Sequence, residues 1–406
     1  MKPTDLTWDD VVRVGAGTPG GSYLRCFWWP VALSEEVKDI PVPVKLLGEE
    51  LVLFRDLSGH LALLGSRCSH RRAALEYGRI EQQGIRCAYH GWCYDRQGKI
   101  MDRPAEPIKT APNIQHPWYL VKELGGFVFA YLGAGKEAPP PLPRYDVLVN
   151  DGYRVVERGD AQFGKAYNCN WLQGVENTTD TTHLTYLHGI SDRCPVFKPV
   201  ETDYGVKLYI LSPGSRPNTV RLRKRCTVLP TINRKSREPK AGRAGRIQAS
   251  IQQAIWIVPL DDTHSEEMRL TLYSEPPKER RYHGAQVDRA RQRERKPYDR
   301  RFYGEISGIV PLEDKVMVET QGPIVDRDLE HPGYGDRAIL LLRKMIRDGI
   351  VDAANGRKPK GVPNQDLEMI DLDIGFEELE SDRIPENIRD LLPELQRQMS
   401  EASKPR

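Results

Sequence analysis

The chain has 406 residues, enough for two domains, and its 39% hydrophobic and 29% charged residues are typical of a globular protein with a sizeable core. The net charge of +3 gives no indication of a nucleic-acid partner. No stretch approaches about 18 apolar residues and the first residues lack signal-peptide features, so we expect a cytoplasmic protein without membrane spans. Seven irregularly spaced cysteines favour a reducing compartment and metal binding over a disulfide framework.

The predicted elements change character along the chain. Residues 28–132 contain short β-branched and aromatic runs separated by Gly, Asp and Ser, which predicts strands. The Pro-rich tract 133–146 predicts a linker, because proline cannot donate a hydrogen bond to a sheet. Beyond it we expect a helix around 171–188, then longer strands, then a charged helical tail from about 336 to the end.

These elements predict an α+β chain of two domains. A small all-β domain comprises 28–132, and a larger domain comprises 1–27 and 133–406, with an antiparallel sheet and covering helices. Charge is uneven in the larger domain, with basic segments at 221–246 and 280–301 and an acidic segment at 365–382. Solvated surfaces explain such segments most simply, and docking of an acidic redox partner or an anionic substrate is the alternative.

Two short motifs in the small domain combine cysteine with histidine. One residue separates Cys68 from His70, two separate Cys87 from His90, and 16 residues lie between the pairs. Each pair fits a tight loop between strands, so two loops can bring two thiolates and two imidazoles to one site. Zinc takes the same ligand types, but structural zinc sites usually group cysteines with cysteines and histidines with histidines. One Cys and one His from each loop favour a Rieske [2Fe–2S] cluster.

A second motif, "ENTTDTTHLTYLHG" at 176–189, contains His183 and His188. On an ideal helix these two side chains would point about 140° apart, so they converge only if the helix stops or bulges between them, and Gly189 is an expected stop. Asp180, three residues before His183, lies on the same helix face and can accept its ring N–H. Two histidines and a carboxylate form the facial triad of non-haem Fe(II) oxygenases. Spacing alone leaves four candidates for that carboxylate: Glu313, Asp314, Glu319 and Asp326.

The combination of both motifs resembles the oxygenase (α) component of Rieske non-haem iron aromatic ring-hydroxylating oxygenases, in the phthalate dioxygenase-type branch. The likeness covers most of the chain. It is carried by "GTPGGSYLRCFWWPVALSEEV", "CAYHGWCYDRQGKI", "NWLQGVENTTDTTHLTYLHG", "WIVPLDD" and "EDKVMVETQGPIVDR". The resemblance implies a helix-grip arrangement of sheet and helices in the larger domain.

The resemblance also implies roles for particular residues. The cluster ligands are Cys68, His70, Cys87 and His90. The mononuclear iron ligands are His183, His188 and Asp314. Asp180 is implied to bridge His183 and the cluster ligand His90 of a neighbouring subunit, in a head-to-tail α3 ring that can stack to α6. Glu176 stands where this branch has a glutamate.

Three features depart from related sequences. The usual C-P-H-R motif reads "CSHR", and Cys93 replaces a lysine or bulky residue after Trp92. We expect Cys93 to be packed in the domain. Respiratory Rieske proteins carry an additional cysteine in each loop and link them by a disulfide, which this chain cannot form, so a lower reduction potential is expected.

The resemblance implies a multicomponent enzyme. The chain has no nucleotide-binding fingerprint of its own, so electrons from NADH require a reductase with flavin and/or [2Fe–2S]. They then pass through the cluster, His90, Asp180 and His183 to iron, where O2 reacts beside the substrate. The implied reaction is dihydroxylation of a phthalate- or benzoate-like aromatic carboxylate. The alternatives are removal of an O- or N-methyl group from a methoxylated aromatic acid and, less favoured, electron transfer without oxygenase activity.

An aromatic carboxylate needs a cation in its pocket, preferably a bidentate arginine. Arg221, Arg223 and Arg225 alternate onto one face of a predicted strand, and Arg246 begins another. Each is most simply a surface charge. We consider Arg223, Arg225 and Arg246 as candidate substrate-binding residues.

Overall fold

The structure, a computed structural model, describes residues 2–106, 113–134, 138–159, 166–189, 194–237, 251–276 and 310–402. None of the seven cysteines forms a disulfide, and Cys93 is buried. Among the described helices, none is both long enough and apolar enough to cross a membrane.

The strands of the small domain form two antiparallel sheets. A six-stranded sheet has the order β1-β10-β9-β4-β3-β2, and a four-stranded sheet has the order β5-β6-β7-β8. The strands are β1 Trp28–Leu33, β2 Val42–Leu46, β3 Glu49–Arg55, β4 Leu61–Gly65, β5 Arg79–Glu81, β6 Gly84–Arg86, β7 Cys93–Asp95, β8 Ile100–Asp102, β9 Trp118–Leu124 and β10 Phe127–Tyr131. The all-β character of this region is confirmed, and the domain boundaries stay a prediction.

The larger domain is built on one antiparallel sheet. In the described residues it has nine strands, in the order β11-β18-β17-β16-β15-β14-β13, with β12 beside β18 and β19 beside β15. The strands are β11 Tyr153–Arg158, β12 Ala166–Tyr167, β13 Val196–Glu201, β14 Gly205–Pro213, β15 Thr219–Val228, β16 Ile232–Arg237, β17 Ile251–Pro259, β18 Ser265–Tyr273 and β19 Gly375–Glu380. An antiparallel sheet with covering helices was predicted, and it is confirmed.

Helices cover this sheet and carry the site. The α-helices are α1 Trp8–Val12, α2 Pro19–Leu24, α3 Asp146–Val149, α4 Trp171–Thr179, α5 His183–Tyr186, α6 Val310–Thr320, α7 Arg337–Ala354 and α8 Leu392–Ala402. Short 3-10 helices span Pro3–Asp5, Ser34–Glu36, Leu75–Tyr77, Arg327–Leu329, Tyr334–Asp336, Ser381–Arg383 and Glu386–Leu391.

Helix α4 lies directly on the sheet. Asn170 caps it by accepting a hydrogen bond from the Leu172 backbone N–H at 3.1 Å. A Cβ atom on Gly174 would lie 3.1 Å from Ile257 of β17, so a small residue allows the close approach. At the far end the Thr179 and Thr227 hydroxyls lie 2.9 Å apart, which ties the last turn of α4 to β15.

A buried ion network holds α4 against α7. The Glu176 carboxylate accepts hydrogen bonds from Arg327 at 2.9 Å and from Arg343 at 2.6 Å, and Arg343 also binds Glu330 at 2.6 Å. Both arginines stack over the ring of Trp8. Since removing one member of such a network leaves a buried charge unpaired, the network fixes the position of the residues that follow Glu176.

The prediction of a helical tail to the chain end was wrong at β19. This strand belongs to the acidic segment, and it pairs with the basic strand β15 so that Glu378 lies opposite Arg221. Lys224 of β15 forms ion pairs with Asp373 and Glu377, both at 2.5 Å. Opposite charges across the strands stabilise this pairing, which accounts for part of the uneven charge without an external partner. The basic segment 280–301 lies outside the described residues.

Candidate metal centres

The chain bends sharply at Asp180, between α4 and α5. The Asp180 backbone is extended, with φ −60° and ψ 141°. Its carboxylate accepts hydrogen bonds from the backbone N–H of Thr182 at 2.7 Å and from that of His183 at 3.1 Å. It also lies 3.1 Å from His183 Nδ1. The helix expected around 171–188 is therefore interrupted at Asp180, whose carboxylate accepts from the first N–H groups of a second helix, and the expected contact with the His183 ring is present.

The electrostatics of this bend favour an ionised Asp180. Burial raises the pKa of Asp180, but the hydrogen bonds from His183 and Thr182 outweigh burial and hold the pKa below its ordinary value. The ionised carboxylate in turn fixes which nitrogen of His183 carries the proton, leaving Nε2 available as a ligand atom.

Two histidines converge with one carboxylate. Helix α5 ends at Tyr186, and Gly189 adopts a positive φ of 59°, so His188 lies beyond the helix, in the region where the sequence indicated a stop. Asp314 Oδ1 of α6 lies 3.0 Å from His188 Nε2 and 3.6 Å from His183 Nε2. Potential ligand atoms of these three residues all lie within 4.8 Å of one another. This donor set fits a mononuclear non-haem iron, with positions left for O2 and substrate.

A second carboxylate orients His188. Glu313 Oε2 lies 2.6 Å from His188 Nδ1, and both side chains are almost fully buried. Burial lowers the pKa of His188, but hydrogen bonds to Asp314 and Glu313 outweigh burial and raise it above its ordinary value. A metal ion would displace the proton shared by His188 and Asp314. The sequence indicated Glu313 only as a possible ligand, and its position next to Asp314 did not reveal this orienting contact.

The other two candidates for the third ligand have different partners. Glu319 accepts a hydrogen bond from the Asn168 backbone N–H at 2.7 Å and pairs with Lys315 at 2.8 Å. Asp326 caps a 3-10 helix by accepting from the Asp328 backbone N–H at 3.1 Å. The structure thus brings Asp314, and neither Glu319 nor Asp326, to the two histidines.

The four predicted cluster ligands lie on two adjacent loops of the small domain. Residues 66–74 connect β4 toward β5, and residues 87–92 connect β6 to β7. The rings of His70 and His90 lie 4.6 Å apart, and His70 stacks on Trp92 at 4.8 Å. The Cys68 and Cys87 side chains are both buried. Two buried thiols beside two partly exposed imidazoles fit a Rieske cluster, whose histidine-bound iron faces the surface.

The candidate arginines differ in their surroundings. Arg223 stacks over Phe376 of β19, 4.8 Å from the ring centre. Arg225 is buried beneath α4, where Nη2 donates to the Thr178 carbonyl at 3.0 Å and Nε has no hydrogen-bond partner in the described structure. The pKa of Arg225 is lowered to about 10, mainly by burial and in part by the nearby Arg223, while Asp180 opposes this shift. Arg246 lies outside the described residues.

An open cleft of about 630 Å³ lies beside the candidate iron site. Asp180 and His183 lie on its wall, together with Tyr186 and Arg343. Four carboxylates line it within the described chain, those of Glu176, Asp180, Glu330 and Asp336. The cleft therefore gives access to Asp180 and carries more acidic than basic groups.

Comparisons with known proteins match this geometry. Residues 27–112 match the model of the Rieske [2Fe-2S] domain. The oxygenase subunit of tert-butanol monooxygenase / tert-amyl alcohol desaturase from Aquincola tertiaricarbonis is 31% identical, with 87% of this chain and 78% of that protein covered. The phthalate 4,5-dioxygenase oxygenase subunit of Pseudomonas putida is 28% identical, with 87% and 88% covered. The solved structure of NdmB from Pseudomonas putida CBB5 superposes with a TM-score of 0.63 at 20% identity, with 84% and 96% covered.

The Rieske domain, the fold and these relatives define a Rieske non-haem iron oxygenase, and the two sets of candidate ligand residues agree with this class. Within that class, the chain belongs to the family of terminal oxygenase (α) components and is similar to the phthalate dioxygenase-type members.

We expect Asp314→Ala to lose mononuclear iron and to retain the visible spectrum of the cluster, because Asp314 is the carboxylate that meets both histidines. Iron analysis should fall from about three to about two irons per chain. Asp326→Ala is the matched control and should keep all of its iron. Full iron content in Asp314→Ala would exclude Asp314 as the third ligand.

We expect Glu313→Gln to weaken binding of iron at the mononuclear site by about 10- to 100-fold, because the carboxylate that orients His188 is lost. Titration of the apo site with Fe(II) measures this affinity. Glu319→Gln, a buried carboxylate on the same helix that does not contact His188, provides the comparison. Equal affinities for the two variants would contradict the orienting role.

Proposed function

We propose that this terminal oxygenase uses O2 and electrons from an NADH-dependent reductase to dihydroxylate an aromatic carboxylate. The observation that carries the proposal is the meeting of His183, His188 and Asp314 in a chain that also has two Cys/His cluster loops. When bound by these three residues, iron would supply a centre for O2 activation with positions open to O2 and substrate. The reductase carries flavin and/or a [2Fe–2S] centre.

The residues around Asp180 support electron delivery from a second subunit. In the described chain its hydrogen bonds go to Thr182 and His183, and no hydrogen bond joins it to His90 of the same chain. Its side chain is still 18% exposed, on the wall of the open cleft. A carboxylate that orients His183 can therefore accept a further hydrogen bond from the cleft side.

The tip of the small domain has properties complementary to this cleft. Arg71 and Arg72 are exposed beside the cluster loops, and Tyr89 is 60% exposed next to His90. The cleft is lined by carboxylates and by the exposed ring of Tyr186. We infer a head-to-tail homotrimer in which the tip of one subunit enters the cleft of the next and His90 reaches Asp180. Two such trimers can stack to form a hexamer.

Arg225 supports an anionic substrate. A buried guanidinium is costly without a counter-ion, and no carboxylate forms an ion pair with Arg225 among the residues that the structure describes. Its hydrogen-bond partner Thr178 precedes His183 by only five residues, and Asn233 donates to the same carbonyl at 2.8 Å. A substrate carboxylate would provide the missing charge and accept from the unpartnered Nε.

The names of the relatives are compatible with this substrate class but do not fix it. Phthalate is an aromatic dicarboxylate, whereas tert-butanol, named for the other relative, carries no charge. The proposal for a carboxylate therefore rests on Arg225.

Turnover of a panel of aromatic acids with a reductase and isotopic O2 tests the function. Both atoms of one O2 molecule should appear in a cis-diol. Formaldehyde from methoxylated acids would instead show demethylation, and rapid reduction without any oxygenated product would leave only electron transfer.

We expect Asp180→Asn to retain the cluster and the mononuclear iron and to lose nearly all product formation, because the amide is not an anionic bridge between two imidazoles. Rapid mixing of the reduced protein with O2 and substrate should show that the cluster remains reduced. Asp352→Asn, remote from the cleft, should behave as the parent. Normal turnover by Asp180→Asn would remove the bridging role.

We expect Arg225→Gln to raise KM for an aromatic carboxylate by about 10- to 100-fold, the loss associated with a hydrogen bond to a charged group. A neutral amide analogue of the same substrate should be affected much less. Arg223→Gln, which removes the guanidinium over Phe376, is the matched control. A KM for Arg225→Gln within twofold of that control would exclude Arg225 from substrate binding.

A further inference from the structure

Ser69 lies between two predicted cluster ligands and makes two hydrogen bonds that a proline there could not make. Its backbone N–H donates to the Tyr94 hydroxyl oxygen at 3.1 Å. Its own hydroxyl lies 2.8 Å from His116 Nδ1. Because proline has neither a backbone N–H nor a hydroxyl, the departure from C-P-H to C-S-H adds both contacts.

The first contact positions the Tyr94 hydroxyl next to Cys68. Tyr94 Oη lies 3.0 Å from Cys68 Sγ, and both residues are buried. The Ser69 N–H can only donate, so the Tyr94 oxygen is the acceptor in that bond. A Cys68 thiolate that binds iron has no proton to donate, so the single proton of Tyr94 points at the Cys68 sulfur while the Ser69 N–H holds the Tyr94 oxygen in place.

The second contact anchors Ser69 itself. His116 is fully buried, and its Nε2 lies 2.9 Å from the Gly65 carbonyl, which can only accept. Nε2 therefore carries the proton. Burial lowers the pKa of His116, so the ring is neutral and Nδ1 accepts the hydroxyl proton of Ser69. The ring also packs against Tyr94, with the two centres 4.5 Å apart.

We propose that Ser69, anchored by His116, is a positioning residue that raises the reduction potential of the cluster by fixing the Tyr94 hydroxyl as a donor to Cys68. This deepens the proposed function, on which it rests for the cluster ligands. A hydrogen bond to a ligating sulfur stabilises the reduced cluster, which carries the larger negative charge. The network thus offsets part of the lowering of potential expected without a disulfide between the loops.

Redox titration of the cluster in the purified oxygenase tests this role of Ser69. The titration is monitored by the visible and electron paramagnetic resonance spectra of the cluster. Reductase, substrate and O2 are omitted, so an enzyme inactive on every aromatic acid still gives a valid result. Loss of the cluster spectrum in the parent would instead contradict the proposed function itself.

We expect Tyr94→Phe and Ser69→Pro each to lower the potential. Ser69→Ala keeps the N–H and loses only the anchor, so its potential should lie between those of the parent and Ser69→Pro. Ser69→Thr keeps both contacts and should match the parent. Ser66→Ala, in the same loop but without a hydrogen-bond partner for its hydroxyl in the described structure, is the matched control and should also match the parent.

The double variants decide whether Ser69 acts through Tyr94. In the Tyr94→Phe background, Ser69→Ala and Ser69→Pro should cause no further shift, because the donor that they position is gone. If Ser69→Pro fails to assemble a cluster, the Ser69→Ala and Ser69→Thr pair makes the same comparison. A parent-like potential in Ser69→Ala, or an equal shift with and without Tyr94, overturns the proposal.

Discussion

One carboxylate, that of Asp180, determines how the iron site is built. It accepts two backbone hydrogen bonds and lies within hydrogen-bond distance of the His183 ring, so the same group begins α5 after the bend and orients the ring of a candidate ligand. A continuous helix through this segment would direct His183 and His188 apart. The end of α5 at Tyr186, before His188, makes a shared metal site geometrically possible, and the bend leaves Asp180 on the wall of an open cleft.

The rest of the larger domain holds this bend in place. Glu176, one turn before Asp180, is fixed by two buried arginines, and Gly174 allows α4 to lie close against the sheet. Helix α6 then brings Asp314 and Glu313 to opposite nitrogens of His188. Adjacent carboxylates thus have separate tasks, because one faces the site where an ion would bind and the other faces the buried side of the ring.

Sequence reasoning succeeded where function depends on residues close together in the chain. The Cys/His loops are a specific local pattern, whereas the His183 and His188 pair indicated a metal site only in combination with those loops. Sequence reasoning failed where the local structure depends on contacts with residues far away in the chain. One helix was expected around 171–188, whereas the carboxylate of Asp180 starts a second helix there. Residues of β19 were expected to be helical, because the pairing of β19 with β15 cannot be seen from either strand alone. Alternation along the strand also places Arg223 and Arg225 on the same face. In the structure, however, Arg223 stacks over Phe376, whereas α4 covers Arg225.

The sequence by itself determined the chemistry of this protein: two thiolates and four imidazoles at spacings that suit a Rieske cluster and a mononuclear iron, in the family that the comparisons show. The tertiary structure alone decided which of four acidic residues meets both histidines, which arginine is buried beneath α4, and how Ser69 joins Tyr94 to His116. The physical reason is that ligand types are properties of side chains, whereas contacts between residues far apart in the chain depend on the packing of strands and helices.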